Sequence, residues 1–479
     1  MAKYARQNKS QFDGRTTRQH RSFLSRNLDN TVCAPDKKLP MASRRGTNRR
    51  EFIRQTGRTI FGVGLGLALP NIFLNRTKAA TGQNPSELIR LGFIGLGLQG
   101  RQHLRVLAKH AVALCDVDHD RMAAARAEVE KATGRLCTTY TDYRKLLEDS
   151  SVDAVVISTP DHWHALQVAH ACEAGKDVYC EKPLTLTVHE GRVLVKVVHR
   201  TGRVLQTGCQ QRSDAKFRFA CQLVRAGRLG RLKLIRVGIP GVNFPGPDPS
   251  KLPKPPVPDS DPPPELDYDF WLGPAPKRPY NILRVHYNFR FFWDYSGGQL
   301  TNWGTHHLDI VQWALGADDS GPVTIEGRAR YHAQRWYEVP EWCEVTYKYA
   351  DGTTVICSND NKLGVQFEGE KGIIYVNRGT LLAEPEELLE PLGEQTPPAL
   401  PVSRDHHQNW FDAIKTRQQP IGNVVVGHRS ATVCHLGNIA ILTGRKIRWD
   451  PVDEKIIDDS EAAKMLSRPY RHPWQLPQT

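Results

Sequence analysis

Short apolar runs and longer amphipathic stretches alternate along the chain from residue 89 onward. The apolar runs of the first part lie at 89–94, 111–115, 152–158, 177–180 and 204–208. Apolar residues recur at helical spacing between them, at 101–110, 122–129, 140–147, 165–171 and 188–200. Because strands that alternate with helices build parallel sheets, this pattern predicts a doubly wound α/β domain over residues 86–208.

The pattern changes at residue 209. A helix is predicted at 217–226 and a strand at 232–237. Sheet-like segments follow at 323–331, 342–349, 353–358, 365–370 and 372–376. Asp351 and Gly352 are typical of a hairpin turn between two of them. These segments predict an α+β domain over 209–402, built on an open, largely antiparallel sheet.

A proline-rich loop interrupts this second domain over residues 239–280. Residues 240–279 hold 14 prolines, which predicts part polyproline and part structure ordered by 270–274. The loop could roof a cleft or contact a neighbouring subunit; an SH3-type ligand is the alternative, and it needs a cytosolic partner. A second, acidic loop is predicted at 383–402. Two helices, at 406–415 and 431–443, and a tail through Trp474 make up residues 403–479.

The first apolar run leads directly into a glycine motif. Its sequence is Gly95-Leu96-Gly97-Leu98-Gln99-Gly100, which is G-x-G-x-x-G. The first glycine allows a tight turn, the second lets backbone amides approach a pyrophosphate, and the third lets the next helix pack close to the strand. A chain reversal is the alternative for a lone motif, but its position between strand and helix favours a Rossmann dinucleotide-binding domain.

Asp116 ends the second apolar run, 21 positions after Gly95. A carboxylate at this place can accept hydrogen bonds from both ribose hydroxyls and would repel a 2'-phosphate. We therefore expect NAD, with NADP less favoured. The alternative is a carboxylate that only ends a strand.

The positive charge of the chain is concentrated at its beginning. Residues 1–80 hold 17 Lys and Arg against 4 Asp and Glu, which is +13 of the net charge of +14. The rest of the chain therefore gives no electrostatic case for nucleic acid. Residues 1–40 are polar and are interpreted as a disordered upstream extension, with Met41 as an alternative start.

Paired arginines precede a glycine-rich apolar run in residues 41–85. Arg49 and Arg50 are followed by the run at 59–69 and then by Pro70. This order is typical of a twin-arginine export signal. It predicts export by the twin-arginine machinery to the periplasm, and tethering to the membrane if the leader is not cleaved. Folded export also fits a cofactor that is loaded in the cytoplasm.

The cysteines and histidines do not indicate a metal site. None of the ten cysteines forms a C-x-x-C pair, and several lie in apolar runs, so buried free thiols are expected. His162 and His164 could be metal ligands, but on an extended segment they would point in opposite directions, and no third ligand is near. We therefore predict no metal.

Two further segments carry candidate chemistry. Lys182 follows the apolar run at 177–180, where strand ends meet ligands; it could stabilise an alkoxide, and a surface lysine is the alternative. If a helix begins near Asn302, then Asn302, His306 and Asp309 share one face. An imidazole there suits a base that takes a hydroxyl proton. Trp303 and His307 share another face, and a buried, hydrogen-bonded helix is the alternative for the whole cluster.

These motifs together resemble the glucose-fructose oxidoreductase and inositol dehydrogenase (Gfo/Idh/MocA) family, and within it the exported bacterial branch. The resemblance rests on the glycine motif, Asp116, the Thr-Pro-Asp-x-x-His segment from Thr159 and Glu181-Lys182-Pro183. It implies a substrate domain after residue 208, C-terminal helices that pack back on the nucleotide domain, and a homo-oligomer formed through the C-terminal sheet. It also implies that Lys182 is catalytic and that a cis bond precedes Pro183.

The site assignments follow from the motifs and the resemblance. The cofactor residues are the six of the glycine motif with Asp116, Ser158, Thr159, Pro160, His164, Glu181 and Lys182, and Pro160 is implied to lie beside the nicotinamide. Arg212, Trp303 and His307 are assigned to the substrate. His306 falls on the family's histidine and is assigned the role of base.

Asn302 departs from the family pattern, which has an aspartate there. Either His306 works with Lys182 alone, or Asp309 supplies the carboxylate, or dehydrogenation is impaired. The first interpretation is an NAD-dependent oxidoreductase acting on a CH–OH group of a sugar, polyol or glycoside, with the cofactor bound tightly. The second is an NAD-dependent glycosidase or lyase that oxidises its substrate transiently. The third is a non-catalytic module that binds NAD or sugar.

Overall fold

The structure, a computed structural model, describes residues 88–393 and 399–479. The predicted extension at 1–40 and the predicted export segment with its linker at 41–85 therefore lie outside the described residues. Within the described ranges, no helix combines the length and apolar character that a bilayer crossing requires.

The first part of the described chain forms a six-stranded parallel sheet. Its strands are β1 (Leu91–Ile94), β2 (Ala111–Cys115), β3 (Thr138–Tyr140), β4 (Ala154–Ile157), β5 (Asp177–Cys180) and β6 (Leu205–Thr207). They lie in the order β3-β2-β1-β4-β5-β6. The strand order reverses between β1 and β4, and ligands of such sheets bind at this point, beyond the carboxyl ends of the strands.

Helices cover both faces of this sheet. They are α1 (Leu98–Leu107), α2 (His119–Thr133), α3 (Tyr143–Glu148), α4 (Asp161–Glu173) and α5 (Val188–Thr201). One apolar cluster holds α1 and α2, and another holds α3, α4 and α5. Strands buried on both faces explain why the sequence shows continuous apolar runs rather than alternation.

The second sheet is mixed. Its strands are β7 (Leu232–Gly238), β8 (Thr324–Arg330), β9 (Trp342–Lys348), β10 (Thr354–Ser358), β11 (Gly364–Gly369), β12 (Gly372–Asn377), β13 (Thr380–Glu384), β14 (Ile447–Asp450) and β15 (Lys455–Ile457). Only β7 and β10 pair in parallel among these described strands. The predicted fold class, a Rossmann domain followed by a largely antiparallel sheet domain, is confirmed.

The remaining helices pack against both sheets. They are α6 (Ala215–Arg225), α7 (Tyr268–Leu272), α8 (Gly298–Asn302), α9 (Gly304–Leu315), α10 (His406–Thr416), α11 (Val424–Thr443) and α12 (Ser460–Lys464). Trp410 and Phe411 of α10 join the core of the first sheet, as the family resemblance implied. The tail also packs on the first domain, since the ring centroids of Trp474 and Trp163 are 4.9 Å apart.

The proline-rich loop is ordered by aromatic residues. Tyr268, Trp271, Tyr280, Phe291 and Tyr295 belong to one buried cluster. Several loop residues also line the large cleft between the two sheets. The part of the proline-rich loop that lines the cleft is therefore held mainly by side-chain packing.

Several sequence-based element predictions are corrected by the structure. The helix predicted at 101–110 begins already at Leu98, and the one predicted at 140–147 begins at Tyr143 because Asp142 caps it and Tyr140 ends β3. His162 lies in the first turn of α4, not on an extended segment. The continuous helix expected from Asn302 is broken there, between α8 and α9.

Candidate active site

The glycine motif forms a tight cradle at the carboxyl end of β1. Gly95 has a φ of +87°, and a Cβ there would lie 2.8 Å from the Ser158 backbone. A Cβ on Gly100 would lie 1.9 Å from the Gly95 carbonyl oxygen, so only glycine allows α1 to approach the strand. The amides at the start of α1 and its positive dipole end face the cleft, an arrangement that suits a pyrophosphate.

Asp116 lies beside this cradle and lines the same cleft. Its carboxylate accepts hydrogen bonds from the Leu96 amide at 2.6 Å and from the Asp118 amide at 3.0 Å. Burial raises the pKa of Asp116, and the Leu96 hydrogen bond opposes the shift. The amides fix the carboxylate at the end of β2, where a ribose is recognised in Rossmann domains.

The loops after β4 and β5 form the floor of the cleft. Ser158, Thr159, Pro160, His164 and Glu181 all line it. Both ring nitrogens of His164 lie near carbonyl oxygens, 2.7 Å from Pro183 and 2.9 Å from Thr159. This histidine therefore holds the two loops together. The bond between Lys182 and Pro183 is cis, as the resemblance implied.

Glu181 is held in place by three neighbouring side chains. Its Oε1 lies 2.7 Å from His103 Nε2 and accepts hydrogen bonds from Gln210 at 2.8 Å and Gln99 at 3.2 Å. The His103 contact helps to lower the pKa of Glu181 to about 2, against the effect of burial, which raises it. Glu181 is thus a fixed anion next to Lys182.

Lys182 and Asn302 meet across the two domains. Lys182 Nζ donates to Asn302 Oδ1 and to the Asn302 main-chain oxygen, each at 2.8 Å. Burial lowers the pKa of Lys182, and the charge of Glu181 opposes this. Asn302 Nδ2 in turn donates to Gln299 at 3.0 Å. The amide therefore occupies a defined position beside the lysine.

His306 lies one turn further along and faces the same cleft. It is 7% exposed, and its Nδ1 has no hydrogen-bond partner among the described residues. Burial, and after it the charge of Lys182, lower the pKa of His306 well below its usual value. The imidazole is therefore neutral at pH 7, which is the form a general base needs. Trp303 lines the cleft beside it.

Three predicted site residues lie outside the cleft. Arg212 is buried and donates to Asp309 at 2.8 Å and to Asp318 at 2.6 Å. Asp309 also accepts from Ser430 at 2.7 Å, so it cannot supply the carboxylate missing at 302. His307 contacts the Gly238 oxygen at 2.7 Å within the core. These contacts correct the substrate assignments of Arg212 and His307 and the catalytic assignment of Asp309.

The cleft also contains residues that the sequence analysis did not assign. The most notable are His103, Asp161, Gln210, Arg290 and Arg378. Asp161 belongs to the Thr-Pro-Asp-x-x-His segment, and this motif is a sequence signal that could have predicted it as a site residue. Nothing local in the sequence marks Arg290 or Arg378, since each is a single arginine in a loop. Among the described residues, no group of three or more His, Cys, Asp or Glu is placed to hold a metal ion.

The fold and the cleft define a two-domain, dinucleotide-binding protein. The family model "Oxidoreductase family, NAD-binding Rossmann fold" matches residues 89–209, and "Oxidoreductase family, C-terminal alpha/beta domain" matches residues 250–476. The chain therefore belongs to the Gfo/Idh/MocA family of oxidoreductases.

Relatives within the family differ in function. An inositol 2-dehydrogenase of Saccharopolyspora erythraea is 26% identical over 69% of this chain and 83% of its own. An alpha-N-acetylgalactosaminidase of Shewanella oneidensis is 29% identical over 39% of this chain and 44% of its own, so the chain matches less than half of that relative. The crystal structure of GenD2 from gentamicin A biosynthesis, in complex with NAD, has a TM-score of 0.55 and 19% identity, covering 78% and 99% of the two chains.

The residues present fit a dinucleotide. Neither Gly95 nor Gly100 leaves room for a Cβ, and the Ser158 hydroxyl is buried beside them without a hydrogen-bond partner among the described residues. The cleft has a volume of about 1700 Å³, enough for the cofactor and a further ligand. The pyrophosphate would lie at Gly97, the ribose at Asp116 and the nicotinamide end near Lys182.

Proposed function

We propose that the protein is an NAD-dependent oxidoreductase that acts on a CH–OH group of a sugar, polyol or glycoside. The observation that carries this proposal is that Lys182 and His306 line the same cleft as the glycine cradle. A bound nicotinamide supplies a hydride acceptor. Family membership and the inositol dehydrogenase relative support the same class of reaction.

The two residues have complementary roles in this proposal. His306, neutral at pH 7, takes the hydroxyl proton of the substrate with the part of its imidazole that lines the cleft. Lys182 stabilises the developing alkoxide with its ammonium group, which Asn302 Oδ1 orients at 2.8 Å. Asn302 thus replaces the family carboxylate in position but not in charge.

We further propose NAD rather than NADP as the cofactor, held tightly. The fixed carboxylate of Asp116 would repel a 2'-phosphate, and the nearby Arg121 is already paired with Asp118 at 3.1 Å. Titration of the cofactor-free protein with NADH and NADPH tests this proposal. NADPH binding as tight as NADH binding would contradict it.

A redox-neutral glycosidase or lyase is the second candidate. The likeness to the Shewanella oneidensis alpha-N-acetylgalactosaminidase favours it, although that likeness covers 39% of the chain. Oxidation next to a C–H bond acidifies it, and the same base could then remove that proton. The hydride would return to the product, so no NADH would accumulate.

One experiment separates these candidates. The purified protein, with NAD, is given a panel of sugars, polyols and glycosides in deuterated water, while NADH absorbance and product mass are followed together. An oxidised product with matching NADH is the expected result. Cleavage with solvent deuterium in the product and no lasting NADH would establish the second candidate. No reaction with any compound, despite NAD binding, would favour a non-catalytic module.

Export and assembly complete the proposal. We propose that the twin-arginine pair Arg49-Arg50 directs the protein to the periplasm; fractionation of cells carrying an Arg49→Lys/Arg50→Lys variant tests this.

We also propose a homo-oligomer through the second sheet. One face of β9 is buried, while alternate residues on the other remain partly exposed, which leaves that face available. Light scattering measures the assembly, and a monomer at micromolar concentration would contradict it.

A further inference from the structure

The substrate end of the cleft carries three cationic side chains. Lys182, Arg290 and Arg378 line it together with His306. Lys182 is accounted for by the chemistry proposed above. The two arginines come from separate segments of the second domain and have no role in that chemistry.

Arg378 reaches the cleft from the turn between β12 and β13. Its guanidinium lies 4.8 Å from the ring centroid of Trp303, which follows Asn302 directly and also lines the cleft. No carboxylate of the described residues lies within 4 Å of its guanidinium nitrogens. The stacked guanidinium is therefore oriented by the indole and keeps its hydrogen-bond donors free.

Arg290 lies on the proline-rich side of the same space. Its guanidinium is 3.8 Å from the ring centroid of Tyr287 and 5.0 Å from that of Phe289, and Nη1 donates to the Tyr287 oxygen. It too lacks a carboxylate within 4 Å among the described residues. Burial lowers the pKa of Arg290. A partly buried guanidinium with no carboxylate paired to it is costly, and an anionic ligand would offset that cost.

The carboxylates nearby are already engaged. Asp161 Oδ2 accepts from the Ser296 hydroxyl at 2.5 Å, and Glu181 accepts from the glutamines and His103 described above. Asp161 and Glu181 each influence an arginine only at longer range. The arginines therefore leave a positive potential at the end of the cleft, and a low-dielectric cleft strengthens its effect on a ligand.

The dinucleotide does not require these arginines. Its pyrophosphate has the glycine cradle at the amino end of α1, with Arg121 Nη1 3.0 Å from the place of a Gly97 Cβ. Arg378 lies instead against Trp303, which follows Asn302 directly, and both arginines are close enough to Lys182 to lower its pKa. Their free donors therefore belong with the proposed reacting residues rather than with the glycine cradle.

We propose that the carbohydrate bound in this cleft carries an anionic group, a carboxylate or a phosphate, which Arg290 and Arg378 hold while a carbinol faces Lys182 and His306. Guanidinium groups match the planar, two-oxygen edge of both anions. This inference rests on the proposed function and names its substrate class. The carboxylate of a uronic acid and the phosphate of a sugar phosphate share the chemistry, and the test separates them.

The test compares anionic sugars with neutral counterparts on the NAD-loaded protein. The probes are glucuronate, galacturonate and glucose 6-phosphate against glucose, galactose and the uronate methyl esters. Equilibrium binding is measured by calorimetry and NADH formation by absorbance. We expect at least one anion to bind about 10- to 100-fold more tightly than its neutral partner, as for a charge-assisted hydrogen bond, and added salt to weaken it. Whichever of the uronates and the sugar phosphate binds more tightly identifies the anionic group that the cleft recognises.

Two variants locate the effect. Arg378→Gln and Arg290→Gln should each reduce the ratio of anionic to neutral binding by about tenfold or more while NADH binding stays intact. Arg200→Gln is the matched control: this arginine lies on α5, is exposed and pairs with Glu173 at 2.7 Å, so the ratio should not change. A variant that instead weakens NADH binding would assign that arginine to the dinucleotide and overturn its role here.

The outcomes distinguish this inference from the proposed function. Equal binding of acids and neutral counterparts, with NADH formed from either, overturns the inference and leaves the oxidoreductase. Selective binding of an anion without hydride transfer overturns the oxidoreductase and leaves the anionic ligand. If none of the probes binds, anionic or neutral, the inference fails as stated for these sugars.

Discussion

Asn302 offers the sharpest test of the chemistry, because the family resemblance implies a carboxylate where this chain has an amide. In Asn302→Asp, a carboxylate oxygen would replace Oδ1 at 2.8 Å from Lys182 Nζ. The hydrogen bond then joins two charges, and the ammonium form of the lysine is favoured. Since burial lowers the pKa of Lys182 in the wild-type protein, the substitution acts against an existing shift.

The magnitude follows from the hydrogen bonds at the site. The wild-type ammonium already donates to a neutral amide, so the substitution adds the attraction between two unit charges. At 2.8 Å this attraction is about 1.5 kcal/mol even at the dielectric constant of water, so the gain for the ammonium is at least on the order of 1.4 kcal/mol. The substitution also removes the hydrogen bond that Asn302 Nδ2 donates to Gln299 at 3.0 Å. This loss lowers the stability of the protein by the same amount whether Lys182 is protonated or not. About 1.4 kcal/mol corresponds to one pH unit.

The assay is the pH dependence of kcat/KM with the best sugar of the panel. The ammonium stabilises the alkoxide, so activity is lost as Lys182 deprotonates, and Asn302→Asp should move the alkaline limb up by about one pH unit. Asn302→Ala removes the acceptor without adding charge and should move the limb down. NADH binding and the melting temperature serve as controls for folding. An alkaline limb that stays in place in both variants would refute the pairing of Lys182 with residue 302.

Three further predictions concern binding and stability. Gly100→Ala should abolish NADH binding, measured by fluorescence titration, because its Cβ would lie 1.9 Å from the Gly95 oxygen. Arg212→Met should lower the free energy of unfolding in urea by about 3–5 kcal/mol, because Asp309 is left buried and unpaired. Burial lowers the pKa of His435 to about 3 from 6.5; the unfolded chain therefore binds its proton first, and stability should fall as the pH drops from 6.5 towards 3.

Each of these predictions has a matched control. Gly241→Ala should bind NADH normally, because its Cβ meets nothing within 4 Å; equal binding by both alanine variants would contradict the role of the cradle. The double variant Arg212→Met/Asp309→Leu should regain much of the stability lost in Arg212→Met. If it is as unstable as the single variant, the unpaired Asp309 is not the cause of the loss. His435→Gln should flatten the acid dependence of the unfolding midpoint, and an unchanged slope would exclude this histidine as a contributor.

Much of the fold was predictable because its signals are local. The strands of the first sheet are buried on both faces and appear as apolar runs, and the glycine motif marks the turn that follows β1. The start of α11 was missed: 424–426 are three valines, which favour strands, yet Asn423 caps them by accepting from the Val425 amide at 3.0 Å. The strand β14 is four residues long and lies between β15 and β8, and β8 is more than a hundred residues earlier in the chain.

The candidate site divides in the same way. Lys182 and His306 were predicted from the motifs around them, and both line the cleft. Arg212 was placed wrongly, because the residues around an arginine in the sequence do not show which carboxylate it pairs with. Asp309 lies 97 positions away from it, and only the packing of α9 brings the two together.

The sequence by itself determined the two-domain class, the glycine cradle and the identities of the lysine, the amide and the histidine, since each depends on a few consecutive residues. The tertiary structure alone decided which polar groups are paired and which remain free. It removed Arg212, Asp309 and His307 from the cleft and brought Arg290 and Arg378 into it. The physical reason is that burial and charge pairing depend on contacts between distant segments, and these contacts exist only once both sheets have formed.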